Sequence, residues 1–166
     1  MQKQDKEIRE TVSLEQARKD LQKIVGLPVA LTWKGYGSAI FLELGELHKE
    51  FRGWVGKNDG KDYSLKGDWT LCSDGGWVIL KDNKMLVDGL EVERGKIEQI
   101  IGQFDNAKIT VVALADDLSS ARVTFDTGTI LQLNNESFGF FSLSYNHPPY
   151  LVFDEEGSIY YEHNQL

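Results

Sequence analysis

Residues 77–87, WVILKDNKMLV, can be read against residues 150–160, YLVFDEEGSIY, without a gap. Each stretch has four apolar residues, then a polar turn, then a second short strand, which is the pattern of a β-hairpin. A helical pattern stands ahead of the strands in each half of the chain, over residues 13–26 and 97–104. The sequence therefore predicts an α+β fold made of two similar helix-plus-antiparallel-sheet units that arise from an internal duplication.

The domain organisation follows from this repeat. We expect a flexible lead-in at residues 1–12, a first unit at 13–89 and a second unit at 90–166, packed together as one globular domain. The first helix is the best defined element, because Ser13 and Gln16 have the spacing of a capping box and Gly26 suits a left-handed stop. In each unit the helix is expected to cover one face of its own sheet.

Two hairpins are predicted from turn residues. Residues 69–72 and 77–80 flank an Asp-Gly step, and residues 121–125 and 129–133 flank Asp126-Thr127-Gly128. Residues 45–66 are the least regular segment and have no counterpart in the second half. This segment is a candidate lid or specificity loop.

Composition limits the class of protein. The chain has 166 residues and one cysteine, Cys72, so it forms no internal disulfide and is expected in a reducing compartment. It has no apolar run of about 20 residues, the length that a membrane-spanning helix needs. We therefore expect a cytoplasmic protein that has no membrane partner.

The charge is distributed unevenly. Residues 97–166 contain two basic and ten acidic residues, which accounts for the whole formal charge of −8. An acidic surface repels phosphate backbones, so nucleic acid is not an expected partner, whereas a basic protein is. The acidic residues in predicted turns are the candidate partner-binding site, and they are Asp116, Asp117, Asp154, Glu155 and Glu156.

Signals for catalysis are weak. The three histidines, His48, His147 and His163, lack the spacing of metal ligands, and the chain has no G-x-S-x-G nucleophile motif. The glycine-rich stretches lie between predicted strands, so they lack the helix N-terminus that a phosphate cradle uses. We predict no catalytic residue, metal or cofactor, and the balance favours a protein that is not an enzyme.

The order of motifs resembles a group of small uncharacterised bacterial proteins, some of which are presumed toxin-immunity proteins. The matching motifs span most of residues 14–133. They are Leu21 to Gly26, Trp69-Thr70-Leu71, Trp77-Val78-Ile79, and Ile100-Ile101-Gly102 followed by Lys108-Ile109. The resemblance implies an immunity-type inhibitor, and it assigns no functional residue.

Three functional hypotheses follow. The first is a non-enzymatic acidic module that binds a basic protein, as an immunity-type inhibitor would. The second is a small-ligand-binding or hydrolytic protein that has its site between the two repeats, because duplicated units often form a pocket at their junction. The third is a structural homodimer that forms through exposed edge strands.

Overall fold

The computed structural model describes residues 8–51, 63–91, 93–134, 140–145, 149–154 and 156–163. These residues form fourteen β-strands and two α-helices. The helices are α1 (Leu14–Gln22) and α2 (Arg94–Ile101), and a 3-10 turn at Gly102–Phe104 continues α2. The strands are β1 (Ile8–Thr11), β2 (Val29–Lys34), β3 (Ile40–Leu44), β4 (His48–Phe51), β5 (Tyr63–Lys66), β6 (Trp69–Asp74), β7 (Trp77–Lys81), β8 (Lys84–Asp88), β9 (Ile109–Leu114), β10 (Ser120–Phe125), β11 (Thr129–Asn134), β12 (Phe140–Tyr145), β13 (Tyr150–Phe153) and β14 (Ile159–His163).

The strands form two main sheets and one separate hairpin. The seven-stranded sheet has the order β1-β14-β13-β12-β6-β3-β2, and the five-stranded sheet has the order β8-β7-β11-β10-β9. Strands β4 and β5 pair only with each other. Every pairing between neighbouring strands in the described residues is antiparallel.

The predicted fold class, α+β with two similar helix-plus-antiparallel-sheet units, is wrong. The protein is mostly β-sheet, with 53% of the described residues in strands and 15% in helices, and neither half forms a unit of its own. Each sheet takes strands from both halves of the chain, because β6 pairs with β12 and β7 pairs with β11. The predicted hairpin between residues 69–72 and 77–80 is wrong for the same reason, since β6 and β7 lie in different sheets.

A sharp corner at Gly75 carries the chain from one sheet to the other. Its φ of +93° is in the left-handed region, which favours glycine. The backbone also approaches closely there, because a Cβ on Gly89 would lie 1.9 Å from the Gly75 carbonyl oxygen. The Asp-Gly step thus has the positive φ that its turn chemistry predicts, but the strands on either side do not pair.

The strand orders of the two sheets correspond although the halves are interleaved. Apart from the β4–β5 hairpin, the first three strands after each helix lie in one sheet and the next two lie in the other. Each helix lies against the first strand of the opposite half, so α1 contacts β9 and α2 contacts β2. The predicted packing of each helix on its own sheet is therefore wrong.

The helices protect two sheet edges. Side chains of α1 donate to carbonyls of edge strand β9, from Arg18 to Leu114 at 2.9 Å and from Gln22 to Val112 at 3.0 Å. In α2, Arg94 donates to the Lys34 carbonyl at the end of edge strand β2, at 2.9 Å. Exposed backbone groups on edge strands favour unwanted pairing, and these side chains occupy them.

The predicted first helix is confirmed at its start, but it ends at Gln22, four residues before the predicted stop at Gly26. Ser13 Oγ accepts from Gln16 N at 3.1 Å, and Gly26 has a φ of +89° after the helix. The capping box is only half formed, because the Gln16 side chain donates forward to the buried carboxylate of Asp20 at 3.0 Å. The Tyr161 hydroxyl donates to the same carboxylate and ties α1 to β14.

The apolar core lies between the two sheets and includes one side of each helix. Phe104 and Phe125 are in contact there, with ring centroids 4.5 Å apart, and the buried Trp77 donates its indole N–H to the Ser38 carbonyl at 2.8 Å. Burying each large apolar side chain contributes roughly 1.5–3 kcal/mol. Other fully buried members include Ile24, Ile40, Leu42, Leu44, Leu71, Ile79, Ile97, Ile101 and Ile109.

The predicted lead-in and the lack of a membrane-spanning segment can also be compared with the structure. Within the predicted lead-in 1–12, Ile8–Thr11 forms β1 and pairs with β14, and residues 1–7 lie outside the described residues. The helices have nine and eight residues, and no helix in the described part of the chain is long and apolar enough to cross a membrane.

Candidate functional site

The seven-stranded sheet has two chemically different faces at its centre. The strand register aligns Leu42, Leu71 and Leu143 side by side on β3, β6 and β12, where each is at most 2% exposed and belongs to the core. The register also aligns Glu43, Thr70 and Ser144, one position away on the same strands. Successive strand residues point to opposite faces. We call the face that carries Glu43, Thr70 and Ser144 the outer face.

Glu43 is a fully buried carboxylate on the outer face, with 0% exposure. It accepts three hydrogen bonds, from Trp33 Nε1 at 3.0 Å, Gly67 N at 3.0 Å and Thr70 Oγ1 at 2.6 Å. Its charge is balanced by Lys66, whose Nζ lies 3.5 Å from Oε1. A buried carboxylate is tolerated only with such partners, so Glu43 is an organising centre for the residues around it.

Lys66 lies against an aromatic pair. The rings of Trp33 and Phe41 are stacked, with centroids 3.7 Å apart and an interplanar angle of 3°. The Lys66 ammonium is 5.0 Å from the Trp33 ring centroid and 5.7 Å from that of Phe41. This cation–π geometry and the Glu43 carboxylate hold the Lys66 side chain in place beside Thr70.

The β4–β5 hairpin is fastened at its base by Asp68. This carboxylate accepts from Glu46 N at 3.0 Å and pairs with the His48 ring nitrogen Nε2. The Glu46 N–H and, second, His48 lower the pKa of Asp68. Gly45 makes the contact possible, because it has a φ of +84° and a Cβ there would lie 2.5 Å from Asp68 Oδ2. The hairpin's entry and exit are thus joined to each other.

A polar cavity of about 150 Å³ lies between this hairpin and the outer face. Residues from both halves of the chain meet there, since Thr70 is on β6 and Ser144 is on β12. The cavity is far smaller than the roughly 300–1,000 Å³ of pockets for drug-sized ligands, so it suits a molecule of a few atoms. Its lining residues are His48, Lys49, Glu50, Lys66, Gly67, Thr70 and Ser144.

Ser144 is the unusual member of this lining. It is 5% exposed, and its hydroxyl makes no hydrogen bond to any residue that the structure describes. Buried hydroxyls nearly always have a partner, because an unsatisfied one costs about 1–3 kcal/mol. Thr70, directly opposite on β6, differs because its proton is donated to Glu43.

Two titratable groups near the cavity stay protonated at neutral pH. Burial raises the pKa of the Cys72 thiol to about 12, so it is not a reactive thiolate. Burial, followed by the charges of Glu50 and Glu162, raises the pKa of Tyr150, which is paired in register with Ser144. Neither group acts as a nucleophile or base in this environment.

The predicted acidic residues lie elsewhere, in two turns. Asp116 pairs with Arg18, and Asp117 accepts from the Ser119 hydroxyl and N–H, which lower the pKa of Asp117. Asp154 Oδ1 accepts from the backbone N–H groups of Glu156 at 3.0 Å and Ser158 at 2.8 Å. Glu156 is exposed, and Glu155 lies outside the described residues.

Each acidic turn is linked to α1 or to the residues just before it. The Asp154 turn leads into Ile159, whose carbonyl accepts from Val12 N at 3.0 Å, and the Asp116 turn follows Leu114, whose carbonyl accepts from Arg18. The two turns are thus tied to the same segment of chain, residues 12–18.

Metal ligands do not converge in the described ranges, where no group of three or more His, Cys, Asp or Glu side chains could hold an ion. His163 lies 3.4 Å from Glu10, and His147 is outside those ranges. No protein-family model, curated protein or solved structure matches this chain. The site must therefore be interpreted from its own geometry.

Sequence analysis missed the residues that form the cavity. Glu43 had a usable signal, since it is a charged residue inside the apolar strand Ile40–Leu44. Ser144 had none, because serine at alternate positions of a strand is typical of an ordinary polar face. The segment 45–66 was singled out as a candidate lid or specificity loop, and its described strands supply four of the lining residues.

Proposed function

We propose that the protein binds a small polar molecule in the cavity between the β4–β5 hairpin and the outer face. The observation that supports this proposal is the buried Ser144 hydroxyl, which lines the cavity without a hydrogen-bond partner in the described residues. A ligand that hydrogen-bonds to Ser144 would remove the cost of an unsatisfied buried group. This is a form of the second hypothesis, with a site formed by both halves of the chain.

The geometry favours binding over hydrolysis. A serine nucleophile needs a general base within hydrogen-bonding reach, and Ser144 has none among the residues that the structure describes. His48 is the residue of the cavity wall that most resembles a catalytic base, but its Nε2 is paired with Asp68. Thr70 donates its proton to a carboxylate that is already buried behind the cavity.

The test is substitution of the unpartnered hydroxyl. We expect Ser144→Ala to leave the stability of the ligand-free protein within about 1 kcal/mol of wild type, because no hydrogen bond is lost. The same substitution should weaken a bound small molecule about tenfold. Affinity can be measured by chemical-shift titration with acetate, glycolate, glycine, ethylene glycol and ethylamine, following the amides of Gly67 and Ser144.

Ser142→Ala is the matched control. Ser142 lies two residues before Ser144 on the same strand and face, is half-buried and does not line the cavity. It should leave the affinity for every probe unchanged. Equal affinities in wild type and Ser144→Ala, or no binding by any of the five probes, would overturn the proposal.

A second candidate is the non-enzymatic acidic module, an immunity-type inhibitor that binds a basic protein. Its support is that both acidic turns are tied to residues 12–18, since Asp116 pairs with Arg18 and the Asp154 turn leads to Ile159, whose carbonyl accepts from Val12 N. Changing Asp116, Asp117, Asp154, Glu155 and Glu156 to the matching amides keeps the side-chain oxygens that accept hydrogen bonds. With a basic partner recovered by co-purification, the amide variant should associate more slowly and with a weaker salt dependence. Association that ignores these changes would exclude the electrostatic mechanism.

The homodimer stays a prediction. Helices protect β2 and β9, and in the described part of the two main sheets the other two edge strands are β1 and β8. Self-pairing through either strand would give a dimer whose proportion rises with protein concentration, which analytical ultracentrifugation measures.

A further inference from the structure

We infer that a second copy of this chain binds to the face of the five-stranded sheet that points away from the core. We call this surface the far face. The strand register aligns a largely apolar row across it from edge to edge, and its members on β8, β7, β11, β10 and β9 are Met85, Leu80, Ile130, Thr124 and Val111. None of these residues belongs to the core, and Met85 and Val111 at the two ends are 60% and 51% exposed.

The far face lacks the hairpin that lies beside the outer face of the other sheet. Strands β10, β11 and β7 have the places in their sheet that β3, β6 and β12 have in the seven-stranded sheet. The β4–β5 hairpin lies between β3 and β6 in the chain, whereas only Asp126-Thr127-Gly128 joins β10 to β11. Large apolar side chains on an uncovered sheet face favour association, because contact with a partner removes them from water.

The next row of the far face carries one charge of each sign. It has Asp88 on edge strand β8 and Arg122 on β10, and its other members are Val78, Gln132 and Ala113. Arg122 is exposed and donates to the neutral Gln132 side chain at 3.1 Å. No carboxylate of the described residues forms an ion pair with Arg122, so an acidic group of a second copy can do so.

A two-fold axis parallel to β11 makes the far face complementary to itself. Strands are about 4.8 Å apart, so β10 lies one spacing from β11 and β8 lies two spacings away on the other side. Rotation about the axis brings β8 of the second copy over β9 and to one spacing from β10. Arg122 of each copy then lies beside Asp88 of the other, and Met85 covers Val111. An axis across the strands would leave Arg122 three spacings from that Asp88, so the charges favour the first arrangement.

The contact area is small, so the dimer is weak. Five strands span about 19 Å and a five-residue strand is about 17 Å long, which gives a facing area of roughly 300 Å² per copy. Stable complexes bury about 800 Å² per partner. Each copy also has a formal charge of −8, and about 0.15 M salt screens the resulting repulsion. We therefore expect the dimer at protein concentrations of about 0.1 to 1 mM.

Analytical ultracentrifugation in about 0.15 M salt measures this equilibrium. Ile130→Lys, at the two-fold axis, should weaken the dimer more than tenfold, because it places two ammonium groups face to face. Arg122→Asp should weaken it about tenfold, and adding Asp88→Arg should restore wild-type affinity by exchanging the two charges. Leu65→Lys is the control, since Leu65 is a 39% exposed leucine on the separate β4–β5 hairpin. It should leave the dimer unchanged, and urea denaturation shows that each variant is folded.

Chemical cross-linking tests the arrangement itself. Met85→Cys and Val111→Cys in one chain lie four strand spacings apart, about 19 Å. A bis-maleimide with a span of about 10 Å, the distance between packed sheets, is too short to join them within one copy but should join two copies. Met85→Cys alone should give no linked dimer. Burial raises the pKa of the Cys72 thiol to about 12, so Cys72 does not compete for the reagent.

Two results would overturn the inference. The first is a wild-type chain that stays monomeric up to about 1 mM. The second is a dimer that Ile130→Lys does not weaken and that the double cysteine variant does not link, because that dimer would use an edge strand or another surface. Neither result affects the proposed function, since the cavity and the far face belong to different sheets.

Discussion

The inner and outer faces of the seven-stranded sheet differ at positions one residue apart. Leu42, Leu71 and Leu143 are aligned on the inner face, and Glu43, Thr70 and Ser144 are aligned on the outer face of the same three strands. Both rows are buried, the first in the apolar core and the second beside the β4–β5 hairpin. One backbone thus supports an apolar row that belongs to the core and a polar row that lies beside the cavity.

Of the substitutions on the two faces, removal of the Glu43 carboxylate should lower the free energy of unfolding the most. Glu43→Ala leaves the donors of Trp33, Gly67 and Thr70 without their acceptor and Lys66 without its counter-charge. We expect the free energy of unfolding to fall by about 4 kcal/mol, as for other broken buried ion pairs. Urea denaturation measures the loss.

Glu43→Gln is the informative companion variant. The amide keeps an acceptor oxygen but has no charge, so it should lose markedly less stability than Glu43→Ala. Equal losses would mean that a single acceptor oxygen without the charge is not enough to hold the outer row together. Wild-type stability in both variants would contradict the organising role of Glu43.

Leu71→Ala tests the inner row. Leu71 is 1% exposed in the core, and a Leu-to-Ala change there removes apolar contacts and leaves a cavity. The expected cost is about 3 kcal/mol in urea denaturation. The affinity of the outer face for the five probes should stay within about twofold of wild type, measured where the variant is folded. A large change in affinity would show that the two faces are not independent.

Of the two faces, only the outer one should lose stability as the pH falls. This loss should be the smallest of the effects predicted for the two faces. The folded-state pKa of Asp68 is lowered by the Glu46 N–H and by His48, so the ionised carboxylate stabilises the folded protein. That contribution is present above the unfolded pKa of about 3.9 and is lost as the pH falls through the lower folded value. The inner leucines do not titrate.

Asp68→Asn provides the measurement. Its stability deficit relative to wild type should shrink as urea denaturation is repeated from about pH 6 down to about pH 3. His48→Gln alone should lose part of the stability that Asp68→Asn loses. In the double variant the two losses should not be additive, because both changes remove the same contact. A deficit that does not depend on pH would contradict the role of the ionised Asp68.

Local signals in the sequence predicted local structure well. Ser13 marked the start of the first helix, and Asp126-Thr127-Gly128 marked the hairpin of β10 and β11, which pair as predicted. These signals work because a cap or a turn is decided by the residues within a few positions of it.

Sheet membership could not be predicted in the same way. The Asp-Gly step at residues 74–75 specifies a reversal with positive φ, and both a hairpin and a corner between sheets satisfy that requirement. The choice depends on β12 and β11, which lie about 70 and 55 residues further along the chain. The cavity depends on the same distant pairing, since it brings Thr70 next to Ser144.

The interleaving of the halves has a consequence for synthesis on the ribosome. A nascent chain that has emerged as far as β8 has β6 with only one of its two neighbours and β7 without β11. Strand β1 stays unpaired for longer than β6 or β7, because its partner β14 is the last strand in the described chain. Folding is therefore largely post-translational, and the early strands need protection from aggregation until the later ones arrive.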